Sequence, residues 1–262
     1  SSYLSGTGAP VLRSVCFFVP GFAMRLFVGL LCLSFCGELF AWSGGAAWGM
    51  ISTSGNSRTR SLNGKLSVDQ GPGRWRNIFL AQATQARAEG ATTGARYLLT
   101  DKEELLWSEQ NYSFAAVELE KDLFGPIRER ASETLGVGRH FLVGPKHLLD
   151  GEVGAGARQT LSQETADGGG ERNNEAIGRA AGRYAWKFTE TGNFIQSLKV
   201  ESGGSNTFTE SVTELKLAIV GSLFASASFT ARNNSQTPPG THATDTTTAL
   251  SLIYGFGAKA SP

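Results

Sequence analysis

The segment LFASASFTAR, Leu223–Arg232, decides the fold class. Neighbouring side chains of a β-strand point to opposite faces of the sheet, so a strand between two environments alternates in polarity with a period of two residues. The apolar face of this segment carries Leu223, Ala225, Ala227, Phe229 and Ala231, and the other face carries Ser226, Ser228, Thr230 and Arg232. The segment therefore predicts a strand with one apolar face and one polar face.

The same alternation recurs in SLNGKLSVD at 61–69, EAIGRAAGRYAWKF at 175–188 and ALSLIYGF at 249–256. In the second of these, Glu175, Arg179, Arg183 and Lys187 share one strand face, because they are separated by even numbers of residues. The opposite face holds glycine, alanine and aromatic residues. Several segments thus indicate strands with a charged face opposite an apolar one.

Twelve strands account for most of the chain after residue 42. We predict them at 43–53, 58–69, 75–87, 93–106, 112–121, 128–142, 147–161, 174–188, 194–202, 207–218, 223–233 and 245–256. Short turns are predicted at 71–73, 108–111, 143–146, 190–193 and 219–222, and longer loops at 164–173 and 234–243. Short turns at one end and long loops at the other are typical of outer-membrane barrels, in which the short turns are periplasmic.

The two strand faces suit an all-β fold, an antiparallel up-and-down transmembrane β-barrel of about 12 strands, with lipid outside and a polar lumen inside. Beyond Ala41 no apolar run is long enough for a spanning helix. The alternative is a soluble periplasmic β-sandwich, which would bury the apolar faces between two sheets. Periodicity alone leaves both open.

An export signal is predicted before the barrel. MRLFVGLLCLSFCGELFAW, from residue 24, has one Arg, an apolar run and a short polar stretch, as secretory signal peptides do. We expect a leader or mis-called start at 1–23, a cleavable signal helix at 24–41, the barrel at 42–256 and a tail at 257–262. Alternatives are lipid modification at Cys36 or a retained membrane anchor.

Composition narrows the class of partner. The 24 basic and 23 acidic residues leave a net charge of +1, which gives no electrostatic basis for nucleic-acid binding. The 33 glycines set against 8 prolines fit short strands and tight turns. All three cysteines, Cys16, Cys32 and Cys36, precede the predicted barrel, which suits passage through an oxidising periplasm.

Two groups of side chains are the candidate functional residues. An aromatic girdle is predicted at the periplasmic membrane interface, with ordinary core packing as the alternative. Its members are Tyr184, Trp186, Phe188, Phe194, Tyr254 and Phe256. The predicted lumen-lining charges are Asp150, Glu152, Glu175, Arg179, Arg183, Lys187, Glu214, Lys216 and Arg232. These charges would line a narrow polar pore or pair into a plug, because unpaired burial of charge is costly.

No catalytic, metal or cofactor site is predicted. None of the three histidines, His140, His147 and His242, is followed two residues later by Ser, which disfavours a hydrolase with both groups on one strand. His140 shares its predicted face with polar residues of one strand and is interpreted as a lumenal side chain. Glycines in LGVGRH and EVGAGARQ lie inside strands, without the following helix that a phosphate-binding loop needs.

The stretch NNEAIGRAAGRYAWKF…TTTALSLIYGF, from 173 to 256, resembles a known family, the salt-induced outer-membrane proteins or YdiY-like group, a domain of unknown function. Within it, RNNSQTPPGTHATDTTT is the most specific part, and weaker similarity continues through GNSRTRSLNGKLSVD, GRWRN and VELEKDLFGP. The resemblance implies an outer-membrane barrel of about this strand count and carries over no catalytic residue. Family members usually end on the aromatic residue of the last strand, whereas GAKASP follows Phe256 here.

From these observations we expect a protein of a Gram-negative outer membrane, in contact with its lipid and inserted by the barrel-assembly machinery. The predicted function is a small passive channel or an envelope structural protein, with a link to salt or osmotic stress implied by the resemblance alone. The alternatives are an outer-membrane hydrolase with a lumenal or surface site and the soluble sandwich. Oligomeric state and permeant solute are left open.

Overall fold

A computed structural model describes residues 42–53, 59–71, 73–125, 127–162, 170–237 and 242–257. Over these residues the chain forms twelve strands, and each predicted strand is confirmed to within two residues at both ends. The strands are β1 Trp42–Thr53, β2 Thr59–Gln70, β3 Trp75–Ala88, β4 Ala91–Leu106, β5 Asn111–Asp122, β6 Ile127–Val143, β7 His147–Ser162, β8 Arg172–Lys187, β9 Gly192–Gly203, β10 Thr207–Val220, β11 Leu223–Asn234 and β12 Thr244–Gly257.

The strands form one closed antiparallel sheet in chain order. Each strand pairs with the next, and β1 closes the barrel on β12 through a register that sets Ala47 opposite Ile253. Closure leaves no strand edge unpaired, which is the requirement for a sheet surrounded by lipid. The sandwich alternative is wrong, because these strands form a single sheet that closes on itself.

The connections differ in length between the two ends of the barrel, though less than predicted. The predicted short turns that follow β2, β4, β6, β8 and β10 are confirmed, and we call this the short-turn end. At the opposite end, 163–171 and 235–243 separate strands as predicted, but β3 and β4 are joined only by Glu89 and Gly90. Both residues have positive φ, 51° and 83° respectively, as a tight two-residue hairpin turn requires.

Contacts across the barrel fix which face is the lumen. Lys199 of β9 reaches Glu118 of β5, four strands away, so their face is the inner one. The strand registers then place the apolar face of β11, with Phe229, on the outside. Large apolar side chains on this outer face are exposed, among them Trp48 at 51%, Leu135 at 68% and Leu250 at 59%. An apolar exterior over a closed sheet is the surface that lipid solvates.

One part of the outer face is polar. Asp101 and Glu103 of β4 point outward, and the Asn77 Nδ2 of β3 donates to Asp101 Oδ1 and to Glu103 Oε1, each at 2.8 Å. Meanwhile Lys102 and Glu104 take the inner face of β4. Carboxylates on both faces explain why the TDKEELL stretch alternates poorly in sequence.

No helix long and apolar enough to span a membrane is present within the described residues. The predicted leader at 1–23, the signal helix at 24–41 and the tail from residue 258 lie outside them.

Candidate functional site: the barrel lumen

Strand register brings most of the inward charges to one side of the lumen. In the middle of the wall, Arg158 of β7 stands opposite Ser132 of β6 and Glu175 of β8. We call the inner face of β4–β10 the ionic half. Opposite it, the inner face of β11, β12, β1 and β2 forms the hydroxyl half, and β3 lies between the two.

Arg158 organises one cluster of the ionic half. Its side chain is fully buried, with Nη2 at 2.6 Å from Glu175 Oε1 and Nη1 at 3.9 Å from Glu201 Oε2. The same guanidinium donates to the backbone oxygens of Glu201 and Asn206, the latter in the turn after β9. A planar guanidinium suits this role because it presents several donors in fixed directions. The cluster therefore joins β7, β8 and β9 and anchors the turn between β9 and β10.

A second cluster crosses the barrel. Lys199 Nζ lies 2.6 Å from Glu118 Oε2, and Arg130 Nη2 lies 2.8 Å from Glu118 Oε1 and 2.5 Å from Glu120 Oε2. The Arg130 guanidinium carbon also lies 3.6 Å from the ring centroid of Phe208 on β10. These contacts link β5 and β6 to β9 and β10, so side chains span the lumen at this level.

A third cluster lies nearer the short-turn end, around Glu152. This carboxylate contacts Arg179 Nη1 at 3.2 Å, accepts a hydrogen bond from the Tyr112 hydroxyl at 2.9 Å and pairs with Lys102. Glycine makes room for the tyrosine, because a Cβ at Gly138 would lie 2.3 Å from the Tyr112 ring. The ring therefore lies flat against the wall instead of projecting into the lumen.

His140 is part of the wall at the short-turn end. Its Nδ1 lies 2.6 Å from Asp150 Oδ1, and its ring centroid lies 4.9 Å from that of Tyr112. A carboxylate and an aromatic ring orient the imidazole, but neither contact supplies the nucleophilic hydroxyl of a serine hydrolase. Residues that could hold a metal ion do not cluster in the described part of the chain.

The hydroxyl half has small side chains at mid-height. The small inward residues there are Ser226, Ser228, Thr230, Thr247, Ala249, Ser251, Gly45, Ala47, Gly49 and Asn63, and the larger Lys65 and Ile253 stand opposite Ala47. Most of these are half-exposed or exposed, whereas Arg130, Ser132 and Arg158 of the ionic half are at most 5% exposed. Small side chains that retain solvent exposure leave volume in the lumen, and packed charges remove it.

A loose ion pair spans the hydroxyl half. Lys65 Nζ of β2 lies 3.9 Å from Glu214 Oε2 of β10, and the Lys65 side chain is 41% exposed. Nearby, Asn63 Nδ2 donates to Ser251 Oγ at 3.0 Å, passing over Gly49, where a Cβ would lie 2.3 Å from Asn63. The glycine allows this bridge between β2 and β12.

The structure places every predicted lumen charge on the inner face but does not gather them into one site. Glu152 pairs with Arg179, Glu175 with Arg158, Asp150 with His140, and Arg232 with Glu210. Arg183 stands opposite Asp150 and Lys187 opposite Asn193 in register, while Lys216 Nζ lies 4.1 Å from the Phe224 ring centroid. The predicted charges are thus spread over several clusters.

The predicted girdle residues lie on the outer side at the short-turn end. Trp186 stands opposite Phe194 and is 42% exposed, and its ring meets that of Phe188 edge-on, with centroids 5.7 Å apart. Tyr254, at 54% exposed, lies on the outer face of β12 with Phe256. Tyr184 also faces outward, and its hydroxyl lies 2.8 Å from Nδ1 of His147.

Sequence reasoning missed most central members of the ionic half: Glu118, Glu120, Arg158, Lys199, Glu201 and Glu210. A signal was present, since Glu118 and Glu120 are two positions apart in VELEKD and therefore share a strand face. Which opposite strand neutralises them depends on barrel closure, which sequence periodicity does not give.

A closed antiparallel barrel with an apolar exterior and a polar, charged lumen defines a transmembrane β-barrel protein. The family described as "Protein of unknown function, DUF481" matches residues 46–256, and the chain belongs to this family. The uncharacterized protein YdiY of Escherichia coli (strain K12) is 26% identical over 209 residues, covering 79% of this chain and 81% of that protein. The predicted YdiY-like resemblance is confirmed.

Solved structures with similarity to this chain include two porins and a channel. A NanC porin gives a TM-score of 0.45 at 10% identity, covering 83% of this chain and 98% of the porin. An outer-membrane channel from Pseudomonas putida F1 gives 0.48 at 13% identity, covering 84% and 97%. The KdgM porin gives 0.43 at 9% identity, covering 82% and 99%.

Proposed function

We propose that this protein is a passive channel of a Gram-negative outer membrane and that solutes cross it along the hydroxyl half. One observation carries the proposal: small side chains on the inner face of β11, β12, β1 and β2 keep solvent exposure, while Arg130, Ser132 and Arg158 in the ionic half opposite are at most 5% exposed. Small barrels are often filled by their own side chains. Here the filling comes from one side, which leaves a polar path beside it.

The outer-membrane location is supported by the exterior of the barrel. Outward aromatic side chains such as Trp186 and Tyr254 lie at the short-turn end, below a band that includes Leu135 and Leu250. Aromatic rings at the edge of an apolar band suit the boundary between lipid headgroups and acyl chains. Fractionation of bacterial envelopes tests the location, since recovery of the chain in the soluble periplasm would contradict it.

Conductance tests the path. The full chain, refolded into a planar lipid bilayer, is expected to give discrete current steps. Ser228→Trp places an indole in the hydroxyl half and should lower the step several-fold, while Ala227→Trp, the next residue on the lipid-facing side, should leave it nearly unchanged. Insertion without current would contradict the channel and favour the predicted alternative, an envelope structural protein.

A role in salt or osmotic stress is a separate part of the proposal and rests on the family resemblance. A deletion strain should grow more slowly than its parent after a rise in external salt and equally well without it. Equal growth in both conditions, with expression unchanged by salt, would remove this part and leave the channel untouched.

A further inference from the structure

We propose that Lys65 and Glu214 form a specificity site for small zwitterionic solutes. This inference rests on the proposed channel function and names the class of solute that the channel carries. Lys65 lies on β2 within the hydroxyl half and Glu214 lies on β10 at its border, so a solute that crosses there passes both side chains. One group attracts a carboxylate and the other attracts an ammonium. A solute that carries both charges is matched at both ends.

The looseness of this pair is the first reason. Its N–O distance is 3.9 Å, whereas Arg158 and Glu175 in the ionic half approach to 2.6 Å. Charge-assisted hydrogen bonds are about 2.7–2.9 Å long, so Lys65 and Glu214 attract each other without forming one. With 41% of its surface exposed, the Lys65 side chain is also accessible to a solute. The Lys65 ammonium can therefore turn toward a guest at little cost, while the Glu214 carboxylate, 16% exposed, remains beside it as the anionic partner.

The presence of both signs of charge beside the path is the second reason. At the end opposite the short turns Arg232 pairs with Glu210, and toward the short-turn end Arg76 contacts both Asp69 and Glu104. Each level thus carries groups of both signs. A simple anion or cation meets a repelling group at every level, whereas a zwitterion can orient along the local field.

A weak site inside a channel favours flux when binding is strong enough to draw the solute in and weak enough to release it. A pair with one well-hydrated partner fits this condition better than a fully buried pair, because opening a buried pair would leave both charges uncompensated in a poorly hydrated site. Lys65 and Glu214 are therefore placed as a selective constriction rather than as a plug.

The test uses the full chain in liposomes, with glycine as the zwitterion and its uncharged isomer glycolamide as the matched probe. Swelling should be at least threefold faster in glycine than in glycolamide, and a potassium chloride gradient should give a reversal potential near zero. Glu214→Gln should abolish the glycine preference and make the pore anion-selective. Lys65→Met should also abolish it, with selectivity for cations.

Two further variants complete the design. The exchanged pair Lys65→Glu with Glu214→Lys should restore the glycine preference, and Lys146→Met in a short turn should not alter it. Equal swelling rates in the two probes, or a preference that persists in both single variants, would overturn the inference while the channel stands. Absence of any swelling or current would overturn the channel itself and this site with it. Heat-modifiable migration on gels verifies that each variant is folded.

Discussion

The two halves of the lumen are built from the same kind of strand but stabilise their inward polar groups differently. The ionic half packs Arg130, Arg158 and Glu201 to at most 5% exposure and pairs each with an opposite charge. In the hydroxyl half, Ser228 and Ser251 keep contact with solvent. Burial in the first half makes each partner necessary, and hydration in the second makes most groups replaceable.

The difference separates stability from transport. Removing one member of a buried pair strands its partner in a poorly hydrated site, which is far more destabilising than the loss of a hydrated contact. Bulk added to a hydrated path changes flux with little effect on packing. We therefore expect variants of the ionic half to change mainly unfolding and variants of the hydroxyl half to change mainly conductance.

The largest effect is expected from Arg158→Met. This change leaves the carboxylates of Glu175 and Glu201 without their buried cation and removes donors to two backbone oxygens. The free energy of unfolding, measured by urea titration of the barrel refolded in lipid vesicles, should fall by about 3–5 kcal/mol.

Lys65→Met is the matched control in the hydroxyl half, because its cation is 41% exposed and its ion pair is loose. Its effect on unfolding should be within about 1 kcal/mol, the usual range for hydrated ion pairs. If Arg158→Met and Lys65→Met lowered the free energy of unfolding by similar amounts, the distinction between the two halves would be wrong.

Lys199→Met is expected to have the next largest effect. It removes the contacts to Glu118 and Glu210, but Arg130 still pairs with the first and Arg232 with the second. We expect a loss of about 2 kcal/mol in the free energy of unfolding, below that of Arg158→Met because the carboxylates keep a partner.

Single-channel recording of the same variant tests the division of roles. Its conductance should match that of the parent protein, since Lys199 lies away from the proposed path. A clear rise in conductance would mean that the cross-barrel cluster blocks a path of its own, and the ionic half would then act as a gate.

Sequence periodicity predicted the strands well because alternation is a local property. In β11, each residue from Ala225 to Arg232 reports its face by its own polarity, and the lumen register follows that pattern. β4 shows the limit: Asp101 and Glu103 face outward beside Asn77, so polarity no longer reports the face there.

The candidate site was less predictable than the fold because its contacts are long-range. Glu175 and Arg179 were expected in the lumen from their strand alone, and the structure places them there. Their partners Arg158 and Glu152 come from β7, and the meeting of Lys199 with Glu118 needs closure across four strands. Alternation of polarity along a strand shows which face a residue lies on. It does not show which strand supplies the residue's ion-pair partner, or at what level in the barrel the two meet.

The smallest effects come from one substitution made in both halves, Ser132→Ala and Ser251→Ala. Ser132 is 2% exposed and its hydroxyl donates to Glu201 at 3.3 Å, whereas half-exposed Ser251 accepts from the Asn63 amide at 3.0 Å. Ser132→Ala loses a hydrogen bond to a buried carboxylate and should lower the free energy of unfolding by about 1.5 kcal/mol. Ser251→Ala loses a hydrogen bond that water can replace and should lower it by about 0.5 kcal/mol or less. Urea titration of both variants under one condition gives the difference directly. If Ser251→Ala proved the more destabilising, the hydroxyl half would be a packed structural element, and the path proposed along it would have to be abandoned.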